Sequence, residues 1–352
     1  MNNYIINRDC RFFRGDIPCR PHKEHGVHCD GCSYFDKINY KILIIKLGAL
    51  GDVIRTTPLM SRLKKEYENA EITCLTYYLD ALPSIIDIKL DFTLQNVLFL
   101  LAKDFDLLVN LDKDKEAISL ANSIKAKNKI GYCMEDGKCA PINSDAEHKY
   151  LTGLFDDISL NNKKSYLEEI FEICGFTFKG EEYILELPEN IFSIEHVKSP
   201  VIGLNTGCGK RWTTRLWSIE NWILLAKSLK EKGFSVVMLG GPDEDAQNKK
   251  IALEADVYYP GVFPFKQFAN MMDLCDLVVT QVTMALHIAI ALKKKIILLN
   301  NIFNKNEFEL YNLGEIIEPN VHCKGCYKQT CEEECMSKIS PDYVYKRIIS
   351  RM

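Results

Sequence analysis

Residues 41–57, Lys-Ile-Leu-Ile-Ile-Lys-Leu-Gly-Ala-Leu-Gly-Asp-Val-Ile-Arg-Thr-Thr, constrain the fold more than any other stretch of this chain. An apolar run rich in Ile and Leu reads as a strand buried on both faces, as parallel sheets covered by helices require. Gly48 and Gly51 let the backbone turn tightly and approach a ligand closely. A helical pattern starts directly behind Asp52. The unit is therefore strand, turn and helix, with Asp52 at the carboxyl end of a first strand, where open α/β sheets bind ligands. The spacing lacks the third glycine of a dinucleotide-binding turn. A carboxylate here would also repel a diphosphate bound at the turn. Asp52 reads as a catalytic acid or base, or else as an N-cap aspartate that stabilises the helix start.

The same alternation runs on through the chain. Strands are predicted over 41–47, 71–76 and 105–111, and helices over 53–67, 115–126 and 163–174, the last ending at Gly175. Residues 188–200, from Pro188 to Pro200, hold few periodic apolar residues and read as a linker. The pattern then restarts with strands at 201–205, 234–239, 277–280 and 296–299, and helices at 219–232, 283–292 and 341–351. This implies two Rossmann-like α/β halves, 41–195 and 196–352, with a ligand in the cleft between them. Residues 1–40 differ from both: they show no apolar periodicity and are rich in Cys, His, Arg, Gly and Pro.

A length of 352 residues fits two domains. A net charge of −4 gives no reason to expect a nucleic-acid partner. No apolar stretch is long enough to span a bilayer, and the first nine residues lack a signal-peptide core, so a cytoplasmic protein is expected, with room for a peripheral membrane contact.

Three loops of the second half read as anion and sugar sites. Thr206-Gly207-Cys208-Gly209-Lys210-Arg211-Trp212-Thr213-Thr214-Arg215-Leu216-Trp217 joins a strand to a helix. Its glycines free backbone N–H groups and its three cations suit a diphosphate, although a solvated basic loop has the same composition. Gly240-Gly241-Pro242-Asp243-Glu244 closes the next strand and offers acids to a ribose or sugar. Thr283-Met284-Ala285-Leu286-His287 opens a helix whose first N–H groups can hold a phosphate; a lone helical His is by itself more often structural.

These segments, with Glu307-Phe308-Glu309-Leu310-Tyr311, resemble glycosyltransferase family 9, the ADP-heptose heptosyltransferases, in order over roughly residues 41–340. The resemblance implies the GT-B architecture and inverting transfer of a heptose from an ADP-sugar, without a catalytic metal. It implies Asp52 as general base and Arg215, before Trp217, as holder of the diphosphate. It further implies donor binding by Gly51, Thr206, Gly207, Lys210, Trp217, Gly241, Asp243 or Glu244, and by Thr283, Met284, Ala285 and His287. Many members carry Asp before the Thr of the last motif, and here Val282 follows Gln281. That departure opens the donor to a different heptose, or to a hexose on ADP or another nucleotide. Inverting transfer in any case needs a base for the acceptor proton and positive charge for the departing diphosphate.

Cys10-x8-Cys19-x9-Cys29-x2-Cys32 and Cys323-x2-Cys326-x4-Cys331-x3-Cys335 each supply four thiols. Either set suits structural zinc, iron or an iron–sulfur cluster, with His22, His25 or His28 able to replace a thiolate in the first. Free thiols in loops are the plain alternative, and the two sets could also share one site. Some relatives that glycosylate proteins carry cysteine-bound iron near the C-terminus, and the second set is similar in kind. Arg8, Arg11, Arg14 and Arg20 lie among the first cysteines, where they could meet a phosphorylated glycan or an acidic protein. The acceptor stays open between core lipopolysaccharide, another surface glycan and a protein side chain. The competing readings are a metal-binding scaffold on a degenerate fold, and a nucleotide-sugar epimerase or dehydrogenase. The latter lacks a Gly-x-Gly-x-x-Gly turn.

Overall fold

The computed structural model describes residues 5–189, 192, 199–209 and 212–352. The Ile/Leu run forms β1 (Tyr40–Ile45), whose last four residues are buried. It lies inside a six-stranded sheet with β2 (Ala70–Leu75), β3 (Ile88–Leu90), β4 (Asp104–Asn110), β5 (Lys125–Glu135) and β6 (Lys138–Pro141), in the order β3-β2-β1-β4-β5-β6. The pairs are parallel except β5 with β6. That antiparallel hairpin turns at Asp136-Gly137, both at positive φ, as a two-residue hairpin favours. The second sheet is wholly parallel. It holds β7 (Val201–Asn205), β8 (Ser235–Leu239), β9 (Leu277–Gln281), β10 (Lys295–Leu299) and β11 (Gly314–Ile317), in the order β11-β10-β9-β7-β8.

Every strand predicted from an apolar run is present, within a residue or two at each end. The helix expected over 53–67 is two helices, Leu50–Ile54 and Thr57–Glu66. Pro58 explains the break: its ring and missing N–H suit the first turn of a helix and not the interior. The linker reading at 188–200 falls largely outside the described residues.

The chain folds into two compact units whose limits differ from a division at 195. The first comprises residues 1–47, 59–79 and 84–143; the second comprises 48–58, 80–83 and 144–352. The N-terminal segment is therefore part of the first unit. Arg11 ties it there through Asp87 (2.6 Å) and the Asn69 and Ala70 carbonyls, while its pair with Asp36 (3.0 Å) and the Cys10–Lys37 bridge hold the segment to itself. The Arg11 guanidinium is thus committed to structural partners rather than held out for an acceptor. Residues 144–189 join the second unit by long-range bonds such as Ser159 to Tyr327 (2.9 Å) and Asn304 to the Asn162 carbonyl (2.8 Å). Among the described residues no helix is long and apolar enough to cross a membrane.

Candidate functional site

Gly48–Pro58 belongs to the second unit, which brings Asp52 to the motifs predicted for that half. The contact is set by Gly51. A Cβ there would lie 2.8 Å from His287 Cδ2 and 3.2 Å from Met284 Cα. Only glycine lets the helix Leu50–Ile54 lie this close to the helix Met284–Ala291. Asp52, third in its helix, reaches back so that its Oδ2 accepts the Ala49 N–H at 3.2 Å. It therefore closes the helix start as the N-cap reading expects, although from the third position. Its Oδ1 pairs with Arg55 Nη2 at 2.8 Å.

Thr283 is the N-cap of the helix Met284–Ala291, and its Oγ1 accepts the Ala285 N–H at 2.9 Å. That N–H is therefore capped within the protein. His287 is 7% exposed, with Nδ1 3.4 Å from the Tyr183 hydroxyl. Burial pushes its pKa down to about 3, aided by the nearby Arg55 charge and opposed by Asp52. The imidazole is neutral, so it brings no positive charge to a phosphate.

Arg215 is the buried cation of the site, 8% exposed. Its guanidinium donates to the carbonyls of Cys208, Val282 and, at 3.3 Å, Trp212, and lies 5.3 Å from the Phe303 ring centre. It thereby joins the loop after β7 to the turn after β9. Among the described residues no carboxylate pairs with it, and burial lowers its pKa. A desolvated positive charge without an anionic partner is costly until an anion arrives.

Other candidates are committed to the scaffold. The Thr206 hydroxyl donates to Asn248 Oδ1 (2.6 Å) and accepts from Gln247 Nε2 (2.9 Å). Glu244 Oε2 accepts the Gly241 N–H at 2.9 Å, and its carboxyl packs on Gly207, where a Cβ would come within 2.4 Å of Glu244 Cδ. Asp243 is exposed in the turn Pro242–Glu244. Trp217 turns into the core: it stacks edge-on against Trp222 and donates Nε1–H to the Ile339 carbonyl at 2.9 Å. Its indole is thus packed in the core of the second unit. Lys210 lies outside the described residues. Sequence reasoning missed Arg55, Tyr166, Tyr183 and Phe303; only Arg55 had a local signal, its i+3 spacing from Asp52.

The cysteines form no disulfide among the described residues. Cys10, Cys19, Cys29 and Cys32 line one cavity of about 370 Å³ with His22 and His28. The His22 Nδ1 lies 2.9 Å from the Val27 carbonyl, the bond that fixes the other ring nitrogen of a metal-binding His. Cys331 and Cys335 line another cavity, and Cys335 Sγ accepts from Asn301 Nδ2 at 3.2 Å. In neither set do three ligands converge as a metal site would, among the described residues. The donor set, thiols with imidazoles beside the first four, is of the kind that zinc and iron take.

Comparison with known proteins places this geometry. Residues 99–337 match the model of glycosyltransferase family 9 (heptosyltransferase). No curated protein matches the chain. Among solved structures, a glycosyl transferase family 9 protein from Veillonella parvula is similar at TM-score 0.69 and 19% identity, covering 90% of this chain and 98% of that one. The E. coli heptosyltransferase WaaC with ADP follows at 0.65 and 12%, covering 89% and 100%. The iron-containing dodecameric glycosyltransferase TibC from enterotoxigenic E. coli is similar at 0.56 and 14%, covering 92% and 83%. Such neighbours establish the GT-B fold, and the family match spans more than half of the 352 residues. The chain is an enzyme of glycosyltransferase family 9, the heptosyltransferase family.

Proposed function

We propose that the chain is a cytoplasmic inverting transferase that moves a heptose or related sugar from an ADP-sugar to a hydroxyl of a glycan or protein. Asp52 takes the acceptor proton as the oxygen attacks the anomeric carbon. Arg215 and the loop after β7, including Lys210, receive the charge that develops on the departing diphosphate. The observation that carries this reading is the buried Arg215 charge without a carboxylate partner among the described residues. It is bonded to Val282, two residues from the Met284 on which Gly51 and the Asp52 loop rest. WaaC solved with ADP and with an ADP-heptose analogue supports the nucleotide. Val282, without a carboxylate for sugar hydroxyls, favours a donor sugar altered from the one most members use.

Calorimetric titration with ADP, UDP, GDP and ADP-heptose tests this. ADP should bind, ADP-heptose more tightly, and Arg215→Ala should lose both. With water as surrogate acceptor, Asp52→Asn should keep ADP binding and release ADP from ADP-heptose about 10²–10⁴-fold more slowly. Binding of UDP or GDP alone would discard ADP-heptose, and unaltered turnover in Asp52→Asn would remove the base.

The cysteine sets we assign to structural zinc, iron or an iron–sulfur cluster, folding segments poor in apolar residues. The shared cavity of Cys10, Cys19, Cys29 and Cys32 supports this, as does the iron of TibC. Elemental analysis of the purified chain should find metal that drops in Cys29→Ser and in Cys326→Ser. A metal-free, folded chain would leave free thiols.

A further inference from the structure

We propose that Arg55 is a positioning residue of the transfer reaction, holding the Asp52 carboxylate in one orientation and in its ionised form. This rests on the reading of Asp52 as the base. Both carboxylate oxygens are held: Oδ1 by Arg55 Nη2 at 2.8 Å and Oδ2 by the Ala49 N–H at 3.2 Å. The two ends of the ion pair differ in exposure, with the Arg55 side chain 15% and the Asp52 side chain 33% accessible. The anchor is thus set inside the protein and the carboxylate toward its edge.

Arg55 is itself fixed from above, its Cζ 3.5 Å from the centre of the Tyr166 ring. Its Nε–H is buried, with no hydrogen-bond partner among the described residues. An unpaired buried donor is destabilising, and an i,i+3 helical pair returns little against it. Stability is a poor explanation for a guanidinium at this place, and holding Asp52 is a better one. A stacked, forked cation also orients a carboxylate as lysine cannot.

The other groups around the pair come from five segments of the chain. Tyr166 begins one helix, with Lys149 5.1 Å from its ring centre. Tyr183 and His287 meet each other, and Glu307 and Glu309 act from the segment after β10. Burial opposes the Arg55 charge, yet Asp52, Tyr166, Tyr183 and Glu307 together hold it above the ordinary guanidinium range. His287 is neutral, as burial holds it. Burial likewise holds the Tyr183 hydroxyl protonated. Arg55 is therefore a cation bonded to Asp52, and Glu307 is a nearby group of opposite sign.

The test is a carbon-13 titration of the full chain labelled at its Asp carboxyls, the Asp52 signal being assigned by its loss in Asp52→Asn. In Arg55→Met the Asp52 midpoint should rise by about one to three pH units. In Arg55→Lys it should stay near the wild-type value, while ADP release from ADP-heptose slows at least about tenfold with ADP affinity unchanged. An unmoved midpoint in Arg55→Met overturns the proposal. If Arg55→Met does not fold, wild-type turnover in Arg55→Lys overturns it. Undiminished turnover in Asp52→Asn removes the base assignment and Arg55's role with it. A silent titration in an enzyme that needs Asp52 removes Arg55 alone.

Discussion

At His287 burial selects the protonation state. The ring sits one turn inside its helix, beside Tyr183 and Gly51, where its burial leaves an imidazolium poorly hydrated. Its folded pKa of about 3 lies below the ordinary 6.5. Between those values the unfolded chain binds a proton that the folded chain does not, so stability rises with pH there. The contribution is fully present above pH 6.5 and is lost as pH falls toward 3, at up to about 1.4 kcal/mol per pH unit. Urea unfolding at pH 7, 6 and 5 should show the wild-type chain losing stability faster than His287→Gln. Parallel losses would mean that the histidine titrates alike in both states.

At the scale of elements, the carboxyl ends of β1 and β4 are fastened by one buried ion pair. Lys46 and Asp112 are 4% and 5% exposed, and Asp112 also accepts the Leu47 N–H. Asp112→Ala takes the carboxylate from a buried ion pair and should cost about 3–5 kcal/mol in urea unfolding, whereas Lys46→Met with Asp112→Leu should recover most of it. A single variant that unfolds like the double would show that the pair is not desolvated. These two strands were legible because their apolar runs are unbroken. β5 was not: its first residues, Lys-Ala-Lys-Asn-Lys, are mostly exposed and carry no alternation, so the helical pattern before them seemed to continue. Asp52 and Arg215 were legible because glycine turns and basic loops leave local marks. Arg215's bonds to Cys208 and Val282, or the stacking of Tyr166 on Arg55, depend on residues 67 or more positions away in two of these three cases. No window of sequence displays them.

For the whole molecule, composition and contact disagree about where one unit stops. The proline-bounded stretch 188–200 has the composition of a linker, but the second unit begins its main run at Ser144. Residues after it are bonded to the second sheet's loops by Asn304, Tyr327 and His287. The chain passes between units at 47/48, 58/59, 79/80, 83/84 and 143/144. The short excursion at 48–58 is the one that carries Asp52.

That excursion bears on how such chains can be recombined. Gly51 fits against Met284 and His287 with no space for even a methyl group, so the two segments are matched by shape although more than 200 positions separate them. A hybrid of two parents joined once anywhere between 59 and 283 draws the two halves of this fit from different ancestors. A productive exchange must therefore transfer residues 48–58 together with the helix Met284–Ala291, as a double crossover, and the unit of inheritance for the reaction is discontinuous in the gene.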